Sequence, residues 1–69
     1  MSAAQKAHAS LDEMSKEAAA NGVCSRENGE MIISAILVAG NRVAFRINNK
    51  ACTYDFVWRA LARLIAQQK

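Results

Sequence analysis

Phe56, Arg59 and Arg63 stand at positions i, i+3 and i+7 of a predicted helix and so share one of its faces. A large aromatic supplies buried area, and guanidinium groups supply directional hydrogen bonds. That is the composition of an interface hot spot. The competing arrangement tucks Phe56 under another helix of the same chain. Arg42 and Arg46 lie two pleats apart on one face of a predicted strand and form a second basic pair. They suit phosphate contacts, or ion pairs with the acids of the N-terminal segment, within the chain or between subunits.

Covalent and acid–base chemistry finds less support. The single histidine, His8, has no acid or nucleophile at a recognisable spacing and reads as a solvated helix side chain. Cys24 and Cys52 would be reactive only beside charges that stabilise a thiolate, and they read as idle or buried thiols. No metal-ligand spacing occurs, and each of the three glycines sits in a predicted turn rather than a phosphate loop. The expectation is a protein that is not an enzyme, with no metal and no cofactor. Tyr54 and Trp58 flank basic residues in a way that would allow base stacking. Their helical phase places both on the core stripe instead.

The elements that must position these residues follow from the hydrophobic pattern. Ser2 and Gln5 form a capping box, and Asn21-Gly22 supplies a left-handed stop, which predicts a helix over about 3–20. Its apolar stripe is Ala4, Ala7, Leu11, Met14 and Ala18, thin enough that the helix must dock on something. Residues 23–30 are polar, with a turn pair at Asn28-Gly29 and room for a short strand at Val23–Ser25. Residues 31–48 read as a β-hairpin closed by a two-residue turn at Gly40-Asn41. That turn pairs Val38 with Val43, Ile36 with Phe45 and Ser34 with Ile47. One face then carries Ile32, Ile36, Val38, Val43, Phe45 and Ile47. The other carries Ile33, Ala35, Leu37 and Ala44, rimmed by Arg42, Arg46 and Asn48. A one-residue slip would exchange these sets.

Asn48-Asn49-Lys50 ends the strand, and Thr53 caps a helix over about 54–66 with Asp55 in its first turn. The inner stripe of that helix is Tyr54, Val57, Trp58, Leu61, Leu64 and Ile65; the outer side carries Phe56, Arg59, Ala60 and Arg63. Val43, Phe45, Trp58 and Leu61 are the expected centre of the core. The fold class is α+β, an αββα arrangement in one domain over residues 1–69.

Size and charge bear on partners. A chain of 69 residues buries only about 60% of the surface it exposes when unfolded. Without a disulfide framework or metal, a second chain is the remaining stabilising device, so a homodimer is expected. Residues 1–30 hold three basic and five acidic side chains, net −2, and residues 31–69 hold six and one, net +5. The asymmetry points to an acidic partner or to pairing between the halves. The N-terminus lacks the apolar core of a signal peptide, and the longest apolar run, about ten residues broken by Ser34, is too short for a bilayer. These features predict a cytoplasmic protein with reduced thiols and no membrane association.

The size, the alanine-rich leading helix and the helix–hairpin–helix layout resemble small accessory proteins encoded by temperate bacterial phages. The resemblance spans the whole length, in layout, and carries over no individual residue. It implies a protein that binds and disables one host protein, such as a transcription regulator. The leading expectation is therefore a non-enzymatic regulator or inhibitor that binds a partner protein as a homodimer through Phe56, Arg59 and Arg63. The second is a small nucleic-acid-binding regulator that uses Arg42, Arg46, Arg59 and Arg63.

Overall fold

The computed structural model describes residues 2–68. Helix α1 (Ala3–Asn21) leads into a four-stranded antiparallel sheet of β1 (Val23–Asn28), β2 (Met31–Val38), β3 (Arg42–Ile47) and β4 (Lys50–Cys52), in the order β1-β2-β3-β4. Helix α2 (Tyr54–Gln67) closes the chain. The α+β class and the two flanking helices agree with the sequence pattern. The sheet is larger than the expected hairpin by two strands, one on each side.

Helix α1 starts where the capping box says it should. Ser2 Oγ accepts from the Gln5 amide at 3.2 Å, and Gln5 Oε1 accepts from the Ser2 amide at 2.9 Å. It ends at Gly22, whose φ of 92° few side chains tolerate and whose amide donates to the Ala18 carbonyl at 2.7 Å. Ala7, Leu11, Met14 and Ala18 are buried on its inner stripe. The Gly22 carbonyl then accepts from the Leu37 amide at 2.9 Å, so the helix stop is also the start of the sheet.

The turns decide which face of each strand is buried. Gly29 and Glu30 join β1 to β2, with Asn28 paired to Met31. Between β2 and β3 the loop is three residues long, Ala39–Asn41, in a 3₁₀ turn with Gly40 at φ 76° and Asn41 at φ 59°. The two-residue turn expected at Gly40-Asn41 is therefore corrected. Ala39 is drawn into the loop, Val38 pairs with Arg42, Ala35 with Phe45 and Ile33 with Ile47. This shift of one residue turns β2 over relative to the expected register. The inner face carries Ile33, Ala35 and Leu37 beside Val43, Phe45 and Ile47. Ile32, Ile36 and Val38 move to the outer face with Arg42, Ala44 and Arg46.

Asn48 and Asn49 make a turn rather than a strand end. Both hold positive φ, 50° and 70°, as a type I′ hairpin turn requires, and Ile47 pairs with Lys50 across it. Asn48 also extends the β2 ladder: its side-chain carbonyl accepts from the Ile32 amide and its amide donates to the Ile32 carbonyl, each at 2.9 Å.

Both helices pack on the same face of the sheet, α1 against β1 to β3 and α2 against β3, and on each other. The core is Ala7, Leu11, Met14, Ala18, Ile33, Ala35, Phe45, Val57 and Leu61. Of the four expected central residues, Phe45 and Leu61 are buried. Val43 and Trp58 are half-buried and pack against this cluster. No helix among the described residues is long and apolar enough to cross a membrane.

Candidate functional site

Thr53 sets the phase of α2. Its hydroxyl accepts from the Phe56 amide at 3.2 Å, which fixes the first turn. Val57 and Leu61 then point into the core, and Phe56, Arg59 and Arg63 point away from it. The Phe56 side chain is 60% exposed, the most exposed of the large apolar residues, so it is not tucked under α1. Two shallow depressions meet at it. One, of about 370 Å³, is lined by Phe56, Arg59, Ala60 and Arg63. The other, of about 500 Å³, runs from Phe56 over Thr53 and Cys52 to the β3–β4 turn.

Asp55 orients part of this face. Its two carboxylate oxygens accept from Trp58 Nε1 at 3.1 Å and pair with Arg59 Nη2 at 3.1 Å. The Arg59 guanidinium lies 5.8 Å from the centre of the Trp58 ring. An exposed i,i+4 pair of this kind contributes only about 0.3–0.5 kcal/mol to stability. Its effect here is to hold Arg59 beside Phe56. Arg63 has no ion pair among the described residues.

Arg42 and Arg46 are not part of this group. They lie on the outer face of the sheet, opposite the helices, and have no ion pair among the described residues. Pairing with the acids of α1 within the chain is corrected, because the sheet stands between them. Those acids hold Arg26 of β1 instead: Arg26 Nη2 lies 3.5 Å from Glu13 and 3.4 Å from Glu17. The sequence thus names five arginine and aromatic candidates that fall on two separate surfaces.

Two local networks went unread in the sequence. His8 is not simply solvated. Its Nδ1 is 2.7 Å from the Tyr54 hydroxyl, and its ring stacks against Tyr54 at 5.7 Å and meets Trp58 in a tilted contact at 4.6 Å. Tyr54, expected on the inner stripe, is instead exposed at the α1–α2 junction, with an edge contact to Phe45. A spacing of 46 residues between His8 and Tyr54 leaves no sequence signal for this link.

The second network holds Cys24, whose Sγ donates to Glu17 Oε2 at 2.8 Å. That hydrogen bond and partial burial raise the thiol above its ordinary range, and the bond from Cys24, with Arg26 nearby, holds Glu17 below the usual carboxylate range. A thiol raised in this way is a poor nucleophile near neutral pH. Cys24, Ala35, Phe45 and Cys52 form one row across the sheet. Three strand spacings separate the cysteines by roughly 14 Å, well beyond disulfide reach. Among the described residues no group of three or more His, Cys, Asp or Glu side chains is placed to hold a metal.

No family model matches the chain, and neither the curated proteins nor the solved structures compared with it yield a match.

Proposed function

We propose that this chain is a non-enzymatic binding module that acts as a homodimer and docks on a partner protein through the outer face of α2. The observation that carries this reading is Phe56. A fully amphipathic helix that buries Val57 and Leu61 leaves the Phe56 ring in water on its outer face, flanked by a braced arginine and by one without an ion pair among the described residues. Exposing phenylalanine gains the isolated chain nothing. A partner with an apolar socket bordered by carboxylates would take up both features. The resemblance of the sequence to small phage accessory proteins favours a regulatory or inhibitory outcome.

A nucleic-acid reading has one observation in its favour: Arg42 and Arg46 lie on the outer sheet face without an ion pair among the described residues. That face carries no aromatic side chain for base stacking. Apart from Glu27, its remaining large side chains are aliphatic.

Titration against a partner captured from host lysate and then purified tests the proposal. Phe56→Ala should weaken binding by about 30-fold or more, the usual effect at a hot spot, while the far-UV spectrum stays unchanged. The nucleic-acid reading predicts that Phe56→Ala matters little and that each Arg→Ala change reduces the salt dependence by about one counterion contact. Equal binding by Phe56→Ala and Arg63→Ala would remove α2 from consideration.

A further inference from the structure

We infer that the outer face of the sheet seats a second copy of this chain, face to face, about a two-fold axis that runs parallel to the strands. The inference rests on the homodimer proposed above and assigns its surface. Both helices lie on one side, so among the described residues the other side of all four strands is bare. A solvated sheet face is normally polar at alternate positions. This one carries Val23, Ile32, Ile36, Val38 and Ala44. Val23 is 55% exposed, and Ile32 and Val38 are each 42% exposed. The four strands, at ~4.8 Å spacing and ~3.4 Å per residue, give a footprint on the order of 400 Å² per copy. Side chains raise the accessible area above the footprint, so two copies would bury on the order of 1,000 Å² together, the threshold for a specific interface.

The pattern on the face is self-complementary. Its rows across the sheet are Glu27 and Ile32; then Ser25, Ser34, Arg46 and Ala51; then Val23, Ile36 and Ala44; then Val38 and Arg42. A two-fold axis between β2 and β3 lays each β2 over the partner's β3 with rows kept in step. Ile36 then faces the partner's Ala44, large against small, on both sides of the axis. Val38 lies under the aliphatic stem of the partner's Arg42, whose charged end reaches water past the strand ends. Glu27, the acid of this face, sits on β1. The same axis carries it to the basic side of the other copy, within reach of the partner's Arg46. Each Arg46 turns outward from the axis to meet it, which separates the two guanidinium groups.

Analytical ultracentrifugation of the full chain tests this. The parent should sediment at twice the chain mass. Ile36→Lys should raise the dimer dissociation constant by about 100-fold or more and give a folded monomer. Val38→Glu, at an exposed position, repeats the test at a site whose substitution leaves the core untouched. Glu27→Arg should weaken the dimer, and Glu27→Arg combined with Arg46→Glu should restore it. A parent that is monomeric at 100 micromolar, about the upper end of useful affinities, overturns both this inference and the homodimer reading. A dimer indifferent to Ile36→Lys, Val38→Glu and the charge exchange overturns the assigned face alone. A dimer abolished by Phe56→Ala instead would assign the interface to α2.

Discussion

Replacing Ile33 with alanine isolates the register of the central hairpin. Ile33 is wholly buried between the sheet and the helices, whereas its neighbour Ile32 faces outward. Ile33→Ala removes three carbons, worth ~0.8 kcal/mol each in transfer, or about 2.4 kcal/mol. The cavity left under α1 brings the cost to about 3–4 kcal/mol, inside the usual range for such truncations. For a domain of this size each kcal/mol lowers Tm by about 4–8 °C, so the variant should melt at least ~12 °C below the parent. Ile32→Ala should cost under ~1 kcal/mol at low protein concentration, since its side chain already meets water. If Ile32 contacts a second copy, its loss grows with protein concentration, while the Ile33 loss does not. Thermal melts followed by circular dichroism at two concentrations separate these cases. An Ile32→Ala protein that melts below Ile33→Ala at both concentrations would refute the three-residue turn and everything built on the outer face.

Phe45→Ala should cost about 3–5 kcal/mol, because the ring is buried and also supports Tyr54 from below; chemical denaturation measures it. Gly40→Ala should cost about 1 kcal/mol through positive φ alone, since the space around the glycine is open, and Gly40→Asn should restore much of that loss. Iodoacetamide should alkylate Cys24 slowly at pH 8, because the raised thiol holds little thiolate there, and Glu17→Gln should speed the reaction by removing the carboxylate responsible. Peptide mapping of the alkylated protein reads this out, and an unchanged Cys24 rate in Glu17→Gln would contradict the hydrogen bond.

The helices were legible in the sequence because their signals are local. Ser2 and Gln5 cap α1, Thr53 caps α2, and the apolar stripes repeat at helical spacing. The same phase kept Phe56 off the inner stripe but left open whether it packs under α1; in the fold it does not. The sheet was harder to read because one residue of loop length inverts a face. Gly40-Asn41 has the composition of a two-residue turn, but the chain places Ala39 in the loop as well. With Ile32-Ile33 adjacent and Ile36-Leu37-Val38 consecutive, the hydrophobic pattern of β2 fits either register. β1 has almost no apolar residues, since its inner side chains include Arg26, satisfied by α1. β4 is three residues long and follows an Asn-Asn pair that reads equally as a strand end. The contacts of His8 depend on how α1 and α2 cross, which no local spacing encodes.

The charge asymmetry between the two halves of the chain has a geometric resolution. If the acidic N-terminal half neutralised the basic C-terminal half, little charge would remain for a partner. The fold prevents most of that pairing. Asp12 is taken by Lys16 within α1, and Glu13 and Glu17 are taken by Arg26 of the adjacent strand. Each of these cations belongs to the same acidic half. In the basic half, Asp55, the one acid there, holds Arg59. Arg42 and Arg46 are left on one side of the molecule and Arg63 on the other, unpaired among the described residues. Arg42, Arg46 and Arg63 therefore lie on two surfaces that also carry exposed apolar side chains. Screening between exposed charges sets in within ~8 Å at physiological salt. The acids of α1, behind the sheet, cannot offset arginines on its far face; Glu27 is the acid of that face, so Arg42 and Arg46 leave it net positive toward a partner carboxylate.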